Sequence, residues 1–308
     1  MDVQSRSSWP YIASATAAVI FGFSFLFTKA ALDSLDMFQL LGSRFLVAAL
    51  FMSALKLAKV IKVEITHNKL KGLLSVALFQ PILYFIFETI GVERTSASES
   101  GIVIALIPVV VAALSVYILK EKLSLWQWLS ILLSVVGVIL LTLPRLEGGS
   151  GQATGILALL GAVLAGALYQ IFSKKASARS SPVEVTYMMM WVGALFFNSI
   201  GIWQYARVGQ IHYYFSAVLS SDTTIAIVYL GILSSVGAFF CMNYALSRLT
   251  PSKSAVFINV TPVVSILAGF FFRGESLAPV QLLGAAVVLL GVWGVGASGQ
   301  PRTRKSLN

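Results

Sequence analysis

The sequence predicts an all-α membrane protein with ten transmembrane helices in two inverted five-helix repeats. Composition, a series of long apolar segments and an internal repeat together lead to this prediction. Of the 308 residues, 57% are hydrophobic and 11% are charged, and the mean hydropathy is +0.87. Soluble domains contain about 25% charged residues, so the composition excludes an ordinary soluble protein.

The first half of the chain contains five apolar segments bounded by charged residues, proline or turn residues. They cover residues 9–30, 38–57, 72–91, 97–119 and 125–143. Each is close to the roughly 20 residues that a helix needs to cross the hydrocarbon core of a bilayer. The first segment is longer than the core of a signal peptide and has no clear cleavage site. We therefore expect it to be retained as the first helix.

The second half contains five further segments of the same kind. They cover residues 154–172, 185–204, 224–246, 255–272 and 278–295. The stretch LPRLEGGSGQATG at residues 143–155 separates the halves, and its Gly/Ser content is typical of a spacer. The predicted organisation is a first repeat at residues 1–146, a linker at 147–153, a second repeat at 154–297 and a cytoplasmic tail at 298–308.

The 22 basic residues are distributed unevenly between the two sides of the predicted membrane. Sixteen fall on the side that holds both termini, and four fall on the opposite side. The positive-inside rule assigns the richer side to the cytoplasm. Both termini are therefore predicted to be cytoplasmic, with the chain in the cytoplasmic (inner) membrane. The asymmetry also explains the net charge of +10 without a nucleic-acid partner.

The two halves contain related sequences when residues 94–139 are aligned with residues 248–293. The spacing between Pro108 and Glu121 recurs between Pro262 and Glu275. Because each half has five spans, an odd number, the second copy must enter the membrane upside down relative to the first. Inverted repeats of this kind are typical of secondary transporters, whose binding sites lie near the membrane midplane between the halves.

Several stretches resemble the EamA-type branch of the drug/metabolite transporter superfamily. They are FGFSFLFTKAAL at residues 21–32, TSASESGIVIALIPVVVAALSVYILKEKLS at 95–124, LTPSKSAVFINVTPVVSILAGFFFRGESL at 249–277, and Arg44. The resemblance covers nearly the whole chain. It implies ten helices in two inverted halves that move small organic solutes, often amino acids or other metabolites and commonly outward. The chain departs from the family pattern at Gly166, which no Trp precedes, and the second half has no counterpart of Arg44.

Two charged residues inside predicted spans are the first candidates for a functional site. Arg44 is the seventh residue of the second span, and Glu88 lies near the end of the third. A charge at membrane depth costs roughly 2.5–3.5 kcal/mol on insertion scales, so each should face protein or water. Their depths allow an ion pair. Such a pair could be structural, or it could bind the carboxylate and the amine of a zwitterion in turn.

Other polar residues are further candidates for contact with a substrate or a coupling ion. Glu99, at the start of the fourth span, favours a capping role because a helix N-terminus attracts negative charge, although it could also line an entrance. Gln80, Tyr84 and Asn243 lie within spans, where a polar residue commonly bonds to a neighbouring helix. Each of these residues therefore has a structural alternative.

The matched prolines of the two repeats are predicted to line a cavity or to act as hinges. Pro108 and Pro262 each interrupt a predicted span. A proline there frees a backbone carbonyl, which is tolerated beside protein or a wet cavity. Asn259 and Thr261 add polar groups just before the second proline.

Several classes of protein are excluded by motifs that the sequence lacks. No GxxxxGK[ST] motif occurs, so ATP is not the expected energy source. The two histidines lie in connections and the one cysteine lies within a span, so no metal site and no cofactor are predicted. A membrane enzyme would need a cluster of nucleophile, base or metal ligands, and none is evident. The protein is therefore predicted not to be an enzyme.

The sequence thus predicts a secondary transporter of small organic metabolites, with an amino-acid or related metabolite exporter as the leading interpretation. Its predicted partners are a small-molecule substrate, the lipid bilayer and, if Glu88 titrates, protons. The alternatives are a multidrug or organic-cation exporter and a structural membrane protein that transports nothing. The sequence does not specify an oligomeric state.

Overall fold

The computed structural model describes residues 8–118, 124–146, 150–216, 221–249, 260–275 and 278–297, together with residues 251, 254 and 257. Helices joined by short turns make up this part of the chain, and no strand occurs within it. The all-α prediction is therefore confirmed for the described residues.

Eleven helices are labelled here in chain order. They are α1 (Trp9–Leu32), α2 (Met37–Leu57), α3 (His67–Arg94), α4 (Ala97–Ile118), α5 (Leu125–Leu146), α6 (Ser150–Ala176), α7 (Pro182–Arg207), α8 (Ile211–Ser216), α9 (Thr223–Arg248), α10 (Val260–Arg273) and α11 (Pro279–Ala297). Seven helices among the described residues are long and apolar enough to cross a membrane, namely α1 to α4, α6, α7 and α9. Shorter apolar stretches lie in α5, α10 and α11. These ten fall on the ten predicted spans in order, and their number as membrane crossings remains a prediction.

Several helices begin at capping signals that are local in the sequence. The Asp36 carboxylate accepts hydrogen bonds from the backbone N–H groups of Phe38 and Gln39, and the Gln39 side chain accepts one from the Asp36 N–H. The same reciprocal arrangement starts α4 at Ser96 and α7 at Ser181. Each arrangement satisfies donors that the first helical turn leaves without intrahelical partners.

Two long helices are widened at equivalent positions of the repeat. In α3 the widened turn is Leu78–Leu83, and Gln80 within it has non-helical backbone angles (φ −149°, ψ 116°). In α9 the widened stretch is Tyr229–Ala238. The first stretch lies in the third predicted span of the first half and the second in the third predicted span of the second half, so the two interruptions correspond. Such π-type turns often occur at functional sites.

Pro108 lies near a helix start rather than at the expected mid-helix position. The α4 helix is divided into Ala97–Ile104 and Ile107–Ile118, which places Pro108 in the first turn of the second segment. A proline costs no helical hydrogen bond there, because the first N–H groups have no intrahelical acceptor. Pro262 is buried in α10, and its mid-helix position stays a prediction because residues 258 and 259 lie outside the described part of the chain.

Close helix crossings surround the centre of the molecule. Helix α1 packs on α10, α2 on α7, α3 on α6, and α5 on α11. A Cβ at Gly22 of α1 would lie 2.5 Å from the Val264 Cβ of α10, and a Cβ at Gly166 of α6 would lie 2.9 Å from Ile107 Cδ1 of α4. Small residues let membrane helices approach this closely, and the crossings enclose a central cavity.

Candidate functional site

The central cavity brings together five of the predicted site residues. Helices α1, α2, α3, α4, α6, α9 and α10 contribute to its wall. The five are Arg44, Gln80, Tyr84, Glu88 and Thr261. The volume of the cavity that the centres of water molecules can occupy is about 40 Å³. One water needs roughly 10–15 Å³ by the same measure. In this conformation it therefore has room for a few waters.

Arg44 is held firmly at the cavity wall by the widened stretch of α9. Its side chain is 1% exposed. Its Nε donates to Ser235 Oγ at 2.8 Å, and its Nη2 donates to Ser234 Oγ at 2.9 Å. The Cζ atom lies 4.3 Å from the centroid of the Phe85 ring, which adds a cation–π contact. A guanidinium has five N–H donors, so several remain for a ligand.

Glu88 faces the same cavity but has few partners. It is 2% exposed. Among the described residues its one hydrogen-bond donor is Thr89 Oγ1, at 3.3 Å from Oε2. No Arg44–Glu88 ion pair within 4.0 Å is formed between these described side chains, so the pair that the sequence allowed is not made in this conformation. The carboxylate keeps spare acceptor capacity towards the cavity.

Uncharged polar side chains complete the wall. The side chains of Gln80 and Tyr84 line the cavity without a hydrogen bond to the described residues. Gln170 of α6 also lines it, and its Oε1 is buried with no partner in the described part of the chain. Thr261 donates to the Ala18 carbonyl at 3.1 Å and is thereby satisfied. Buried polar atoms without partners are costly in a folded protein, so Gln170 is suited to receive a ligand.

Glu99 and Asn243 lie outside the cavity lining. Glu99 forms the capping box of α4, where its Oε2 accepts the Ser96 N–H at 3.0 Å. The Asn243 Oδ1 accepts from the hydroxyls of Tyr169 and Ser173 at 2.8 and 2.9 Å. Its Nδ2 donates to Thr186 Oγ1 at 2.9 Å. Both side chains therefore serve helix structure in this conformation.

Three predicted residues remain. Pro108 and Pro262 are buried but are not among the residues that line the cavity. Asn259 lies outside the described residues.

Comparison with known proteins decides the family. The profile of the EamA-like transporter family matches this chain twice, over residues 8–143 and 153–297. This chain belongs to the EamA-like transporter family. The two EamA matches together cover nearly all of the sequence, so no large region lies outside the family.

Relatives of this EamA protein carry transporter names. A Bacillus subtilis protein named as an uncharacterized transporter, YcxC, is 33% identical over 98% of this chain and 97% of its own length. An Archaeoglobus fulgidus uncharacterized transporter is 26% identical over 92% of this chain and 97% of its own length. A probable terminal-alkyne amino-acid exporter of Streptantibioticus cattleyicolor is 27% identical over 66% of this chain and 65% of its own length.

A solved structure has a similar fold. One crystal structure matches with a TM-score of 0.66 at 19% identity, covering 94% of this chain and 99% of that chain. At this identity the likeness concerns the fold alone. The EamA protein is thus a multi-pass membrane protein of a transporter family.

A second polar cluster connects helix ends on the side of this EamA protein that is predicted to be external. We call Lys29, Asp33, Ser98, Arg273 and Glu275 the outer cluster. Glu275 Oε1 accepts the Ala97 N–H at 2.9 Å, and its Oε2 accepts the Ser98 N–H at 3.0 Å and the Ser98 hydroxyl at 2.7 Å. A carboxylate at a helix N-terminus also interacts favourably with the helix dipole. Glu275 therefore ties the end of α10 to the start of α4.

The other charges of the outer cluster are equally well paired. The Lys29 ammonium donates to the carbonyls of Val92, Glu93 and Thr95 at 2.8, 2.9 and 2.7 Å. Arg273 forms a salt bridge with Asp33 at 3.1 Å. These bonds connect α1 both to the end of α3 and to α10, at the end of the bundle that is predicted to be external.

Sequence reasoning missed three residues that matter to this EamA site. Ser234 and Ser235 hold Arg44, and Gln170 faces the cavity. All three are neutral polar residues within apolar runs, which are commonplace in membrane helices.

Proposed function

We propose that this EamA-family protein is a secondary transporter of small organic metabolites, and that it exports amino acids or related zwitterions by alternating access. The observation that carries the proposal is the central cavity, where Arg44 and Glu88 are buried and each keeps hydrogen-bonding capacity. The probable amino-acid exporter among its relatives supports the same substrate class. The protein would move its substrate unchanged, without a cofactor.

The chemistry of the wall fits both ends of an amino acid. The free N–H groups of Arg44 are suited to a carboxylate, because guanidinium and carboxylate groups form paired hydrogen bonds. Glu88 is suited to an ammonium group. Phe21, Phe25 and Phe239 of the wall would contact an apolar side chain. The substrate would thus bridge two charges that the protein itself leaves unpaired.

The cavity must widen before such a substrate can bind. We propose that the two inverted five-helix repeats, at residues 1–146 and 154–297 with the linker between them, rock against each other around the cavity. The twofold match to the family profile supports this division. The paired crossings at Gly22 and Gly166 support the inverted symmetry. The widened turns in α3 and α9 lie where flexing would reshape the site.

We propose an orientation with both termini in the cytoplasm of the inner membrane, and coupling to protons through Glu88. The excess of basic residues on one side supports the orientation. Glu88 supports coupling because a carboxyl group at a cavity can exchange its proton as the cavity opens to either side. Uncoupled facilitation is the simpler alternative, and it needs no titrating group.

The test is counterflow in proteoliposomes that contain the purified protein. Labelled amino acids, purines and organic cations are offered as a panel, with and without a proton gradient. Selective exchange of amino acids is the expected result. Movement of no solute under any gradient would contradict the proposal and would favour a structural membrane protein.

An organic-cation exporter is the second candidate. It is favoured by one feature, the carboxylate of Glu88 near the aromatic rings of Phe85 and Phe239, since aromatic faces also attract cations. The two candidates differ at Arg44, which would repel a cation and would bind a zwitterion. Exchange of hydrophobic cations that improves when Arg44 is neutralised would identify the second candidate.

A further inference from the structure

A concave basic groove lies between the start of α3 and the end of α6, away from the central cavity. Its volume is about 390 Å³. We call it the basic groove, lined by Asn68, Lys69, Lys71, Ser75, Lys175 and Arg179. On the predicted topology these residues lie at the cytoplasmic face.

The groove carries positive charge that the protein does not neutralise. Lys69 is paired with Glu184, at 2.8 and 3.0 Å from its two carboxylate oxygens. Lys71, Lys175 and Arg179 form no ion pair with any described residue. Lys175 has a cation–π contact with Phe172 at 5.4 Å. Three cations thus face one concave surface without a counter-charge.

The start of α3 strengthens this positive field. Its first turn contains no acidic residue, and Thr66 before it makes no side-chain capping bond. A helix N-terminus is already the positive end of the helix dipole. The positive charges of lysines near this helix start are therefore repelled by the positive end of the helix dipole. A bound anion would offset that repulsion.

An apolar surface continues from the groove towards the membrane interior. Leu74 and Leu78 follow Lys71 at helical spacing on α3 and are 45% and 48% exposed. Residues three and seven positions apart lie on one face of a helix. A basic site for a headgroup, continued by an apolar surface for an acyl chain, fits a phospholipid better than a free anion.

We propose that the basic groove binds the phosphate of an anionic phospholipid, with an acyl chain along Leu74 and Leu78. Lys71, Lys175 and Arg179 supply the charge, and the Asn68 amide supplies N–H donors. Basic pockets between membrane helices on the cytoplasmic side bind anionic headgroups in this way. The lipid would join α3 and α6, two helices that also form the cavity wall.

The test measures thermal unfolding and lipid retention of the full-length purified protein in detergent. Phosphatidylglycerol, phosphatidylcholine and inorganic phosphate are added separately, and retained lipid is counted by native mass spectrometry. The groove variant is Lys71→Gln/Lys175→Gln/Arg179→Gln. The matched control is Lys56→Gln/Lys59→Gln/Lys62→Gln, which removes the same charge from the same predicted side outside the groove. A Lys71→Arg/Lys175→Arg protein keeps the charge.

We expect phosphatidylglycerol to raise the unfolding temperature of the wild-type and control proteins by about 2–4 °C. The groove variant should bind it on the order of 100-fold more weakly, given about 1 kcal/mol for each basic residue. The arginine variant should bind it as the wild type does. Equal retention by the groove and control variants would overturn the proposal, as would stabilisation by inorganic phosphate alone.

Discussion

The central cavity and the outer cluster are both polar regions, and they differ in burial and in how completely their groups are paired. Arg44 and Glu88 of the cavity are 1% and 2% exposed, whereas the side chains of Arg273 and Asp33 in the outer cluster are 27% and 57% exposed. In the outer cluster, Lys29 has three carbonyl acceptors and Glu275 has three donors. In the cavity, Glu88 has one long hydrogen bond and Gln170 Oε1 has none among the described residues. Fully paired groups hold one conformation, whereas groups without partners are available to a ligand. The comparison therefore distinguishes residues that hold helices together from residues that are available to bind a substrate.

The largest effect is expected at Glu88. A Glu88→Gln protein keeps the shape of the side chain but loses the charge and the exchangeable proton. Transport of amino acids should fall on the order of 100-fold, the cost of removing a charged hydrogen-bonding partner from a buried site. Proteoliposome counterflow, measured with and without a proton gradient, gives the rate and its dependence on the gradient.

The matched control for Glu88 is Glu99→Gln. A glutamine can still accept the Ser96 N–H in the capping box, so transport should remain within about twofold of wild type. Proton coupling through Glu88 is contradicted if the Glu88→Gln protein transports with an unchanged dependence on the gradient. Equal losses in both variants would contradict the assignment of a binding role to Glu88 and a capping role to Glu99.

Arg44 is the next most sensitive position. An Arg44→Lys protein keeps a positive charge but cannot bond Ser234 and Ser235 together while stacking on Phe85. We expect the Km for a carboxylate-bearing substrate to rise about tenfold or more. The Ser234→Ala/Ser235→Ala protein keeps Arg44 but removes the two hydroxyl groups that hold its guanidinium. Its Km should rise less than that of the lysine variant. A wild-type Km in the lysine variant would show that Arg44 does not orient the substrate.

Glu275 tests the closing role of the outer cluster. A Glu275→Gln protein loses the negative charge that strengthens the three bonds to the start of α4, because hydrogen bonds to a charged acceptor are stronger than those to a neutral one. The outward-open state should become about tenfold more populated. Its population is read from the labelling rate of an Ala97→Cys site by a membrane-impermeant thiol reagent, in a Cys241→Ser background. A labelling rate that does not respond to Glu275→Gln would mean that the cluster does not hold this end closed.

The smallest effect on stability is expected at Gln170. A Gln170→Leu protein removes a buried acceptor that has no described partner, so the unfolding temperature should stay within about 2 °C of wild type. Substrate affinity should nevertheless fall about fivefold. The contrasting variant is Asn243→Leu, which breaks three hydrogen bonds and should lower the unfolding temperature by several degrees while the Km changes little. The opposite pattern would reverse the assignment of binding and structural roles.

Helical segments and the two buried charges could be predicted from the sequence, because both signals are local. Apolar length determines which segments become helices in a membrane. Arg44 and Glu88 stand out because a charged side chain within a membrane span costs free energy unless it faces protein or water. The capping role of Glu99 follows equally from its place at a helix start.

The sequence could not predict which side chains of each helix face the central cavity. Asn243 and Gln170 are both single polar residues in apolar runs, yet one is fully bonded and the other faces the cavity. Their difference arises from the rotation of α6 and α9 in the packed bundle, which depends on crossings such as the one at Gly166. The partners of Arg44 were missed for the same reason, since Ser234 and Ser235 are brought to it by the widened turn of α9.

The central claim is that Arg44 and Glu88 bind the two ends of one zwitterion. The most direct measurement is counterflow of one labelled amino acid against three unlabelled competitors: the same amino acid, its methyl ester and its N-acetyl derivative. The account predicts that the amino acid competes strongly and that both derivatives compete at least about tenfold more weakly, because each lacks one charged end. Equal competition by all three compounds would contradict the claim.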